Sequence, residues 1–196
     1  MTEFTGFGNQ ALPFLKALDF HQSREWFNEN KSLFVSELET PRGDLVEALT
    51  AAFAAKGLPF KGDRKKSVYR IYRDVRFAKD KSPFNKHVSA LLTPSGEKRE
   101  AEGSFFIKIG IEGCFMAVGF YLDDATKLKV FRNSIVTWPD KFRSMTAALK
   151  KGKLALETEG ALKRMPKEFE AVTDPEFAAA LKLKHFYVSE KIDPAV

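Results

Sequence analysis

The sequence predicts an α+β fold, in which an antiparallel sheet of about four strands has N-terminal and C-terminal helices packed on it. Two observations predict the elements: apolar residues recur at helical spacing in the first sixty residues and in the C-terminal third, and β-branched and aromatic residues dominate the middle. A third observation predicts the packing. Within one of the predicted strands of this middle region, every second residue is large and apolar. Alternation indicates one buried sheet face, as antiparallel sheets usually have.

The four predicted strands are Ser67–Phe77, His87–Leu92, Ser104–Ile111 and Cys114–Leu122. Alternation is clearest in the third, where every second residue from Phe105 to Ile111 is large and apolar. The other face of that strand carries Phe106, Lys108 and Gly110. The first strand also fits helical spacing, and its β-branched and aromatic content favours a strand.

The C-terminal third is predicted to return to helix, in Ala125–Val136, in Pro139–Lys150 and in a last helix from Pro175 to Lys184. Asp123 and Asp124 are expected to cap the first of these rather than to bind metal. A chain of 196 residues without a repeat, a low-complexity tract or a Gly/Ser linker is typical of one domain, so residues 1–196 are predicted to form a single α+β domain.

Composition excludes several classes of protein. The content of 44% hydrophobic and 30% charged residues is that of an ordinary globular chain rather than a disordered one. The single cysteine, Cys114, cannot form an intramolecular disulfide, which favours a cytoplasmic location and an inert core thiol. No apolar run approaches about 18 residues and no signal-peptide pattern is present, so no membrane partner is predicted.

The excess positive charge is confined to one short segment. Ten basic and three acidic residues lie between Lys61 and Lys86, which gives this segment a net charge of +7, whereas the whole chain carries +6. The remaining residues therefore carry −1. Such a segment acts as a local electrostatic field and indicates a negatively charged partner.

The same segment contains a long motif, Arg70-Ile-Tyr-Arg-Asp-Val-Arg-Phe77, followed by Lys79-Asp-Lys-Ser-Pro-Phe84. It resembles the hallmark of an uncharacterised bacterial and fungal family catalogued as domain of unknown function family 2461. Similarity extends to Arg24-Glu-Trp-Phe27 and to the Gly119-centred strand, and so to almost the whole chain. The asparagine at Asn85 departs from the family's pattern. The resemblance implies no reaction, so any function has to come from the residues.

As a strand, Ser67–Phe77 would place Tyr69, Ile71, Val75 and Phe77 in the core, with Arg73 among them, and would turn Arg70, Tyr72, Asp74 and Arg76 outward. Arginine holds phosphate or carboxylate through two parallel hydrogen bonds, and lysine adds a mobile charge. A pocket for a small anionic ligand is therefore predicted. Its predicted ligand-binding residues are Arg70, Arg73, Arg76, Lys79, Asp80, Lys81, Ser82 and Lys86.

Whether the protein is an enzyme stays open. If it is one, Asp74 or His87 is expected to be the general base, because each lies beside cations that can tune its pKa. The three histidines lie far apart without ligand spacing, so no metal site is predicted. No GxGxxG, Walker loop or Gly-x-Ser-x-Gly motif is present, and no cofactor is predicted.

Two alternatives remain. Cations interleaved with aromatic residues also suit nucleic-acid binding, although the predicted alternation would bury Tyr69 and Phe77 and no nucleic-acid-binding signature is present. In the other alternative the arginines are structural, with Arg73 paired to a carboxylate such as that of Glu25 and with Asp74 and Asp80 tying down the loop.

Overall fold

The computed structural model describes residues 4–100 and 103–193. These residues form two compact units, of which the second is Val118–Ser189 and the first contains the remaining described residues. The prediction of a single domain over residues 1–196 stays a prediction.

Helices of the first unit precede its strands. They are α1 (Ala11–His21), α2 (Arg24–Glu29), α3 (Lys31–Phe34), a π-helical turn (Val35–Glu39) and α4 (Thr40–Ala55). The Ser23 hydroxyl caps α2 by accepting a hydrogen bond from the backbone N–H of Trp26 at 3.1 Å. Leu15 and Leu18 of α1 and Phe27 of α2 are almost fully buried and form one core with Ile71 and Phe84.

Four strands form an antiparallel sheet in the order β1-β2-β3-β4. They are β1 (His87–Leu92), β2 (Ser104–Gly110), β3 (Cys114–Phe120) and β4 (Phe186–Ile192). β1 pairs with β2 from His87 opposite Gly110 to Leu92 opposite Phe105. The predicted α+β class with an antiparallel sheet is thus confirmed, and three of the four strands lie where the sequence places them.

The predicted strand Ser67–Phe77 is wrong as a regular strand. It begins beside β1, where the Tyr69 N–H donates to the Ser89 carbonyl at 3.0 Å. It then leaves β1 and pairs with the chain that follows it, through a bridge between Tyr72 and Phe84. This change of partner breaks the side-chain alternation that a continuous ladder would impose.

Burial of the aromatic residues in this segment also differs from the prediction. Ile71 is buried as expected, but Tyr69 is 40% exposed and Phe77 is 95% exposed. The fourth strand of the sheet is instead β4, for which the sequence analysis predicted no element, since its last helix ended at Lys184. The last helix, α7 (Pro175–Leu181), ends at Leu181 rather than at Lys184.

The second unit contains α5 (Ala125–Thr137), α6 (Pro139–Lys151) and α7 (Pro175–Leu181). Asp124 caps α5 by accepting from the Lys127 N–H at 2.8 Å, as predicted. The core of the second unit contains Ile135, Phe142, Phe177 and Leu181. Within the described parts of the chain, every helix is too short or too polar to cross a membrane.

Candidate functional site

A pocket of about 470 Å³ opens on the first unit, beside the Arg70–Phe77 motif of the basic segment. Residues from three places line it. They are Tyr69, Arg70, Tyr72, Arg73 and Asp74 of the basic segment, Asn85, His87 and Ser89 in and before β1, and Phe106 of β2. A volume in this range suits a small organic ligand rather than a single ion.

Two cations behind the pocket hold the backbone that forms its wall. The buried Arg42 of α4 donates from Nη1 to the Tyr69 carbonyl at 2.8 Å, and Lys98 donates from Nζ to the Val68 carbonyl at 2.7 Å. Burial lowers the pKa of both side chains, and in Lys98 the nearby charge of Arg42 adds to the effect. The first bond fixes the Tyr69 backbone relative to α4, and the second fixes the Val68 backbone relative to the chain that follows β1.

Arg70 and Arg73 differ in how many hydrogen bonds their guanidinium groups make with the rest of the described protein. Arg73 donates from Nη1 to Asp80 at 2.6 Å and to the Ser82 carbonyl at 3.1 Å, so the predicted pairing with Glu25 is wrong. The exposed Arg70 guanidinium makes no hydrogen bond or ion pair with the residues that the structure describes. Its backbone carbonyl accepts from the Asn85 side-chain amide at 3.3 Å. Arg70 is therefore the cation of the pocket with the most donors to offer.

Asp74 is held by Arg76 in a two-pronged ion pair at the rim. Arg76 Nε lies 3.0 Å from Asp74 Oδ1 and Nη2 lies 2.7 Å from Oδ2. Hydrogen bonds from the Arg76 side chain and backbone, with a smaller contribution from the charge of Arg70, lower the pKa of Asp74 to about 2. Asp74 is thus a fully ionised carboxylate, and Arg76 does not line the pocket.

The loop after the motif is held by hydrogen bonds within the loop and to the motif itself. Asp80 accepts from the Ser82 hydroxyl at 2.6 Å and from the Ser82 N–H at 2.9 Å. These bonds and the Arg73 ion pair hold the pKa of Asp80 well below its usual range. Lys81 donates to the Val75 carbonyl at 3.0 Å. Such bonds fix the shape of the loop and occupy groups that were predicted to bind ligand.

Only part of the predicted site is therefore brought together. Four of the ten predicted residues line the pocket, namely Arg70, Arg73, Asp74 and His87. Six lie outside it, namely Arg76, Lys79, Asp80, Lys81, Ser82 and Lys86. Lys86 pairs with Asp19 at 2.8 Å, whereas Lys79 has no ion-pair partner among the described residues. The ligand-binding and catalytic roles assigned to these ten residues stay predictions.

His87 and Ser89 project into the pocket from β1, two residues apart and hence on the same face of the strand. Burial, and secondarily the charge of Lys108, lowers the pKa of His87, so its imidazole is neutral at neutral pH. The backbone of β2 approaches closely here, because a Cβ on Gly110 would lie 2.5 Å from that of His87. The hydroxyl of Ser89 has no hydrogen-bond partner within residues 4–100 and 103–193.

Three aromatic rings form the remaining wall. Tyr72 packs against Phe84 and Phe27, with ring centroids 5.1 Å and 5.6 Å away, and Tyr69 meets Phe106 edge-to-face at 6.3 Å. Lys98 Nζ lies 4.8 Å from the centre of the Tyr69 ring. Burial raises the pKa of Tyr69, so its phenol stays a hydrogen-bond donor across the physiological range.

The sequence did not identify five of the lining residues as site residues. Tyr69 was assigned to the core, whereas Tyr72 was placed on the outward face and counted only among the stacking aromatics of the nucleic-acid alternative. Two of these residues gave usable signals. Asn85 departs from the family's motif, and Phe106 lies on the face of β2 opposite its regular apolar face. Ser89 shares a strand face with His87, which the two-residue spacing alone indicates. Arg42 gave no signal, because only the tertiary structure brings it to Tyr69.

Comparison with known proteins gives a family and nothing finer. The family model described as "Conserved hypothetical protein (DUF2461)" matches residues 10–196, nearly the whole chain. No curated protein and no solved structure matches the chain. The match confirms the resemblance that the Arg70–His87 motif indicates.

Proposed function

The chain belongs to the DUF2461 family of conserved hypothetical proteins, and from its pocket we propose that it binds a small anionic ligand, bearing phosphate or carboxylate, through Arg70 and Arg73. One observation carries the proposal. An arginine without a protein partner among the described residues faces a pocket of about 470 Å³, beside a second arginine that uses only one of its terminal nitrogens. Guanidinium groups bind such anions through paired hydrogen bonds.

The ion pairs around the pocket support preorganisation of this site. Asp80 and the Ser82 carbonyl both accept from Nη1 of Arg73, which fixes the guanidinium while leaving Nε and Nη2 without protein partners in the described chain. Arg76 neutralises Asp74, so the carboxylate at the rim opposes an incoming anion less strongly. Rigid donors that need no rearrangement lower the free-energy cost of binding.

If the ligand is also a substrate, His87 is the better candidate for a general base. Its lowered pKa leaves a neutral imidazole that can accept a proton, and it lines the pocket. A carboxylate with a pKa of about 2, such as Asp74, is a weak base at neutral pH and suits an orienting role. A cytoplasmic location belongs to the same proposal, because a lone cysteine suits a reducing compartment.

The test is a thermal-shift screen of phosphorylated and carboxylated metabolites on the full chain. Ligands that bind the folded state raise its Tm, and the Arg70→Ala variant is expected to lose this shift while keeping the Tm of the free protein. Arg164→Ala, which removes an exposed arginine outside the pocket, is the matched control and is expected to keep the shift. Failure of every anion to raise the Tm, or equal shifts in both variants, would contradict the proposal.

Nucleic-acid binding is the second candidate, and exposure of the aromatic residues favours it. Tyr69, Tyr72 and Phe77 are 40%, 41% and 95% exposed, which removes the objection that the predicted strand would bury two of them. Exposed rings among cations provide stacking surfaces for the bases of single strands.

Fluorescence anisotropy with a single-stranded oligonucleotide of about 12 nucleotides tests this candidate. Binding through phosphates would weaken steeply between about 50 and 200 mM salt, and Phe77→Ala would weaken it further. A response to mononucleotides equal to that of the oligonucleotide would favour the small-ligand pocket instead.

A further inference from the structure

We propose that the ligand of this pocket is a planar aromatic or heteroaromatic ring that carries an anionic group; this rests on the anion binding proposed above. Arg70 and Arg73 take the anion, and the rings of Tyr69, Tyr72 and Phe106 take the planar part. Nucleoside monophosphates and aromatic carboxylates share this chemistry.

The size of the pocket argues for a ligand larger than its anion. About 470 Å³ lies within the range of pockets that hold drug-sized molecules, and the two arginines occupy only one part of the lining. The rest of the ligand must therefore meet the seven residues that remain, of which three, Tyr69, Tyr72 and Phe106, form an aromatic wall.

The aromatic wall is rigid and partly uncovered. Tyr72 is supported by Phe84 and Phe27, and Tyr69 by Phe106 and the ammonium of Lys98. Even so, 40% of Tyr69 and 41% of Tyr72 stay exposed. Rings that are held by the protein yet open to the pocket suit stacking or edge-to-face contact with a planar partner.

The polar groups of the lining would orient such a ring. The Ser89 hydroxyl and the neutral imidazole of His87 have no hydrogen-bond partners among the described residues, and the side-chain oxygen of Asn85 has none either. Together they offer donors and acceptors at the edge of a ring rather than further positive charge. A purely aliphatic phosphate would leave the aromatic faces unused.

Isothermal titration calorimetry on the full chain tests the pairing of ring and anion. The ligands with both parts are AMP, UMP and indole-3-acetate, the anion-only ligands are ribose 5-phosphate and inorganic phosphate, and the ring-only ligand is adenosine. At least one ligand with both parts is expected to bind about tenfold or more tightly than either kind of half-ligand, as ring stacking allows. Preference for the nucleotides or for indole-3-acetate identifies the source of the ring.

Variants separate the two contributions. Phe106→Leu and Tyr69→Leu are expected to remove most of the ring's advantage while the affinity for ribose 5-phosphate stays unchanged, and Arg70→Ala to weaken every anionic ligand. Tyr121→Leu, at an exposed tyrosine outside the pocket, is the control and is expected to change nothing. Two ring variants are used so that one that fails to fold still leaves the other.

Three results would overturn the inference. Ribose 5-phosphate binding as tightly as AMP would remove the ring requirement yet keep the proposed anion function. Adenosine binding as tightly as AMP would remove the anion requirement. Absence of binding by every ligand with an anion would overturn the inference and the proposed function together.

Discussion

Ion pairs between individual side chains determine how much positive charge in and around the pocket is available to a ligand. Arg76 is committed to Asp74, Lys86 to Asp19 and part of Arg73 to Asp80. The predicted cluster of cations is therefore in large part neutralised by the protein's own carboxylates. What remains is concentrated on Arg70, which has the pocket in front of it.

His87 gives a prediction about pH at the same scale. Its pKa in the folded state lies below the unfolded value of about 6.5, so the unfolded state binds the proton first. Above about pH 6.5 His87 is neutral in both states and does not lower the free energy of unfolding. The free energy of unfolding falls as the pH drops through the window between the two pKa values. The wild-type protein is therefore expected to lose more stability between about pH 7.5 and pH 5 than His87→Gln.

Urea unfolding of both proteins at the two pH values measures this difference. An equal loss of stability in His87→Gln would show that protonation of His87 carries no stability cost.

A substitution at Gly119, the next-to-last residue of β3, tests whether close backbone packing requires a glycine there. Its φ is +149°, and an added Cβ would overlap the carbonyl oxygen of Phe186 in β4 and lie 2.5 Å from the Tyr187 Cα. Gly119→Ala is therefore expected to destabilise the protein by about 2 kcal/mol or more, measured by urea unfolding.

Gly152→Ala is the matched control in the same unit. Gly152 has a φ of −78°, and an added Cβ would come no closer than 3.4 Å to its neighbours. Alanine fits that conformation, so a change within about 0.5 kcal/mol is expected. Similar losses in both variants would contradict the packing explanation.

The segment from residue 67 to residue 77 decides the shape of the site at the scale of elements. It starts as a neighbour of β1 and ends as a partner of its own following loop, through bonds from the Arg73 N–H to the Pro83 carbonyl and from the Asn85 N–H to the Ile71 carbonyl, both 2.8 Å. This switch gathers Tyr69, Arg70, Tyr72 and Arg73 into one wall, where a regular strand would have divided them between two faces.

Hydrogen exchange followed by NMR tests this backbone arrangement. The amides of Tyr69, Arg73 and Asn85 are expected to exchange slowly because each donates to a backbone carbonyl. The amide of Lys79, for which no hydrogen bond exists within the described chain, is expected to exchange quickly. A continuous band of protected amides from Ser67 to Phe77 would instead support the regular strand.

The elements differ in how well local sequence predicts them. The alternation of β2 and the apolar residues of β1, which are Val88, Ala90, Leu91 and Leu92, reflect burial, so their sequences alone place them well. The segment at residues 67–77 also contains β-branched and aromatic residues. Composition does not encode which chain lies beside this segment, and its pairing depends on that neighbour. β4 follows soon after the short helix α7. Its FYVSEKI sequence does not alternate clearly between apolar and polar residues, so the sequence alone does not indicate a strand with one buried face.

The site was predictable to a similar degree. Clustering of charge identified Arg70, Arg73, Asp74 and His87, because a run of cations is visible in the sequence. The other predicted cations turned out to be paired or outside the pocket, since only side-chain geometry decides which carboxylate each one meets. Arg42 comes from another element, and only the tertiary structure brings it to Tyr69.

At the scale of the whole molecule, the charge distribution and the pocket coincide. A segment with a net charge of +7, in a chain that is otherwise near neutral, contributes two arginines to the lining of a pocket in the first unit. An electrostatic field of this kind attracts anions from a distance, while the rigid lining selects among them. Capture of an anion by Arg70 and Arg73 is the central claim that follows.

Arginine side-chain NMR tests that claim most directly, because each Nε–H group gives its own signal. On titration with AMP, ribose 5-phosphate and indole-3-acetate, the signals of Arg70 and Arg73 are expected to shift saturably with at least one ligand. The signals of Arg64, paired with Asp44, and of Arg143, paired with Asp174, are expected to stay in place. Unchanged signals for Arg70 and Arg73 with every ligand, or equal shifts at all four arginines, would contradict it.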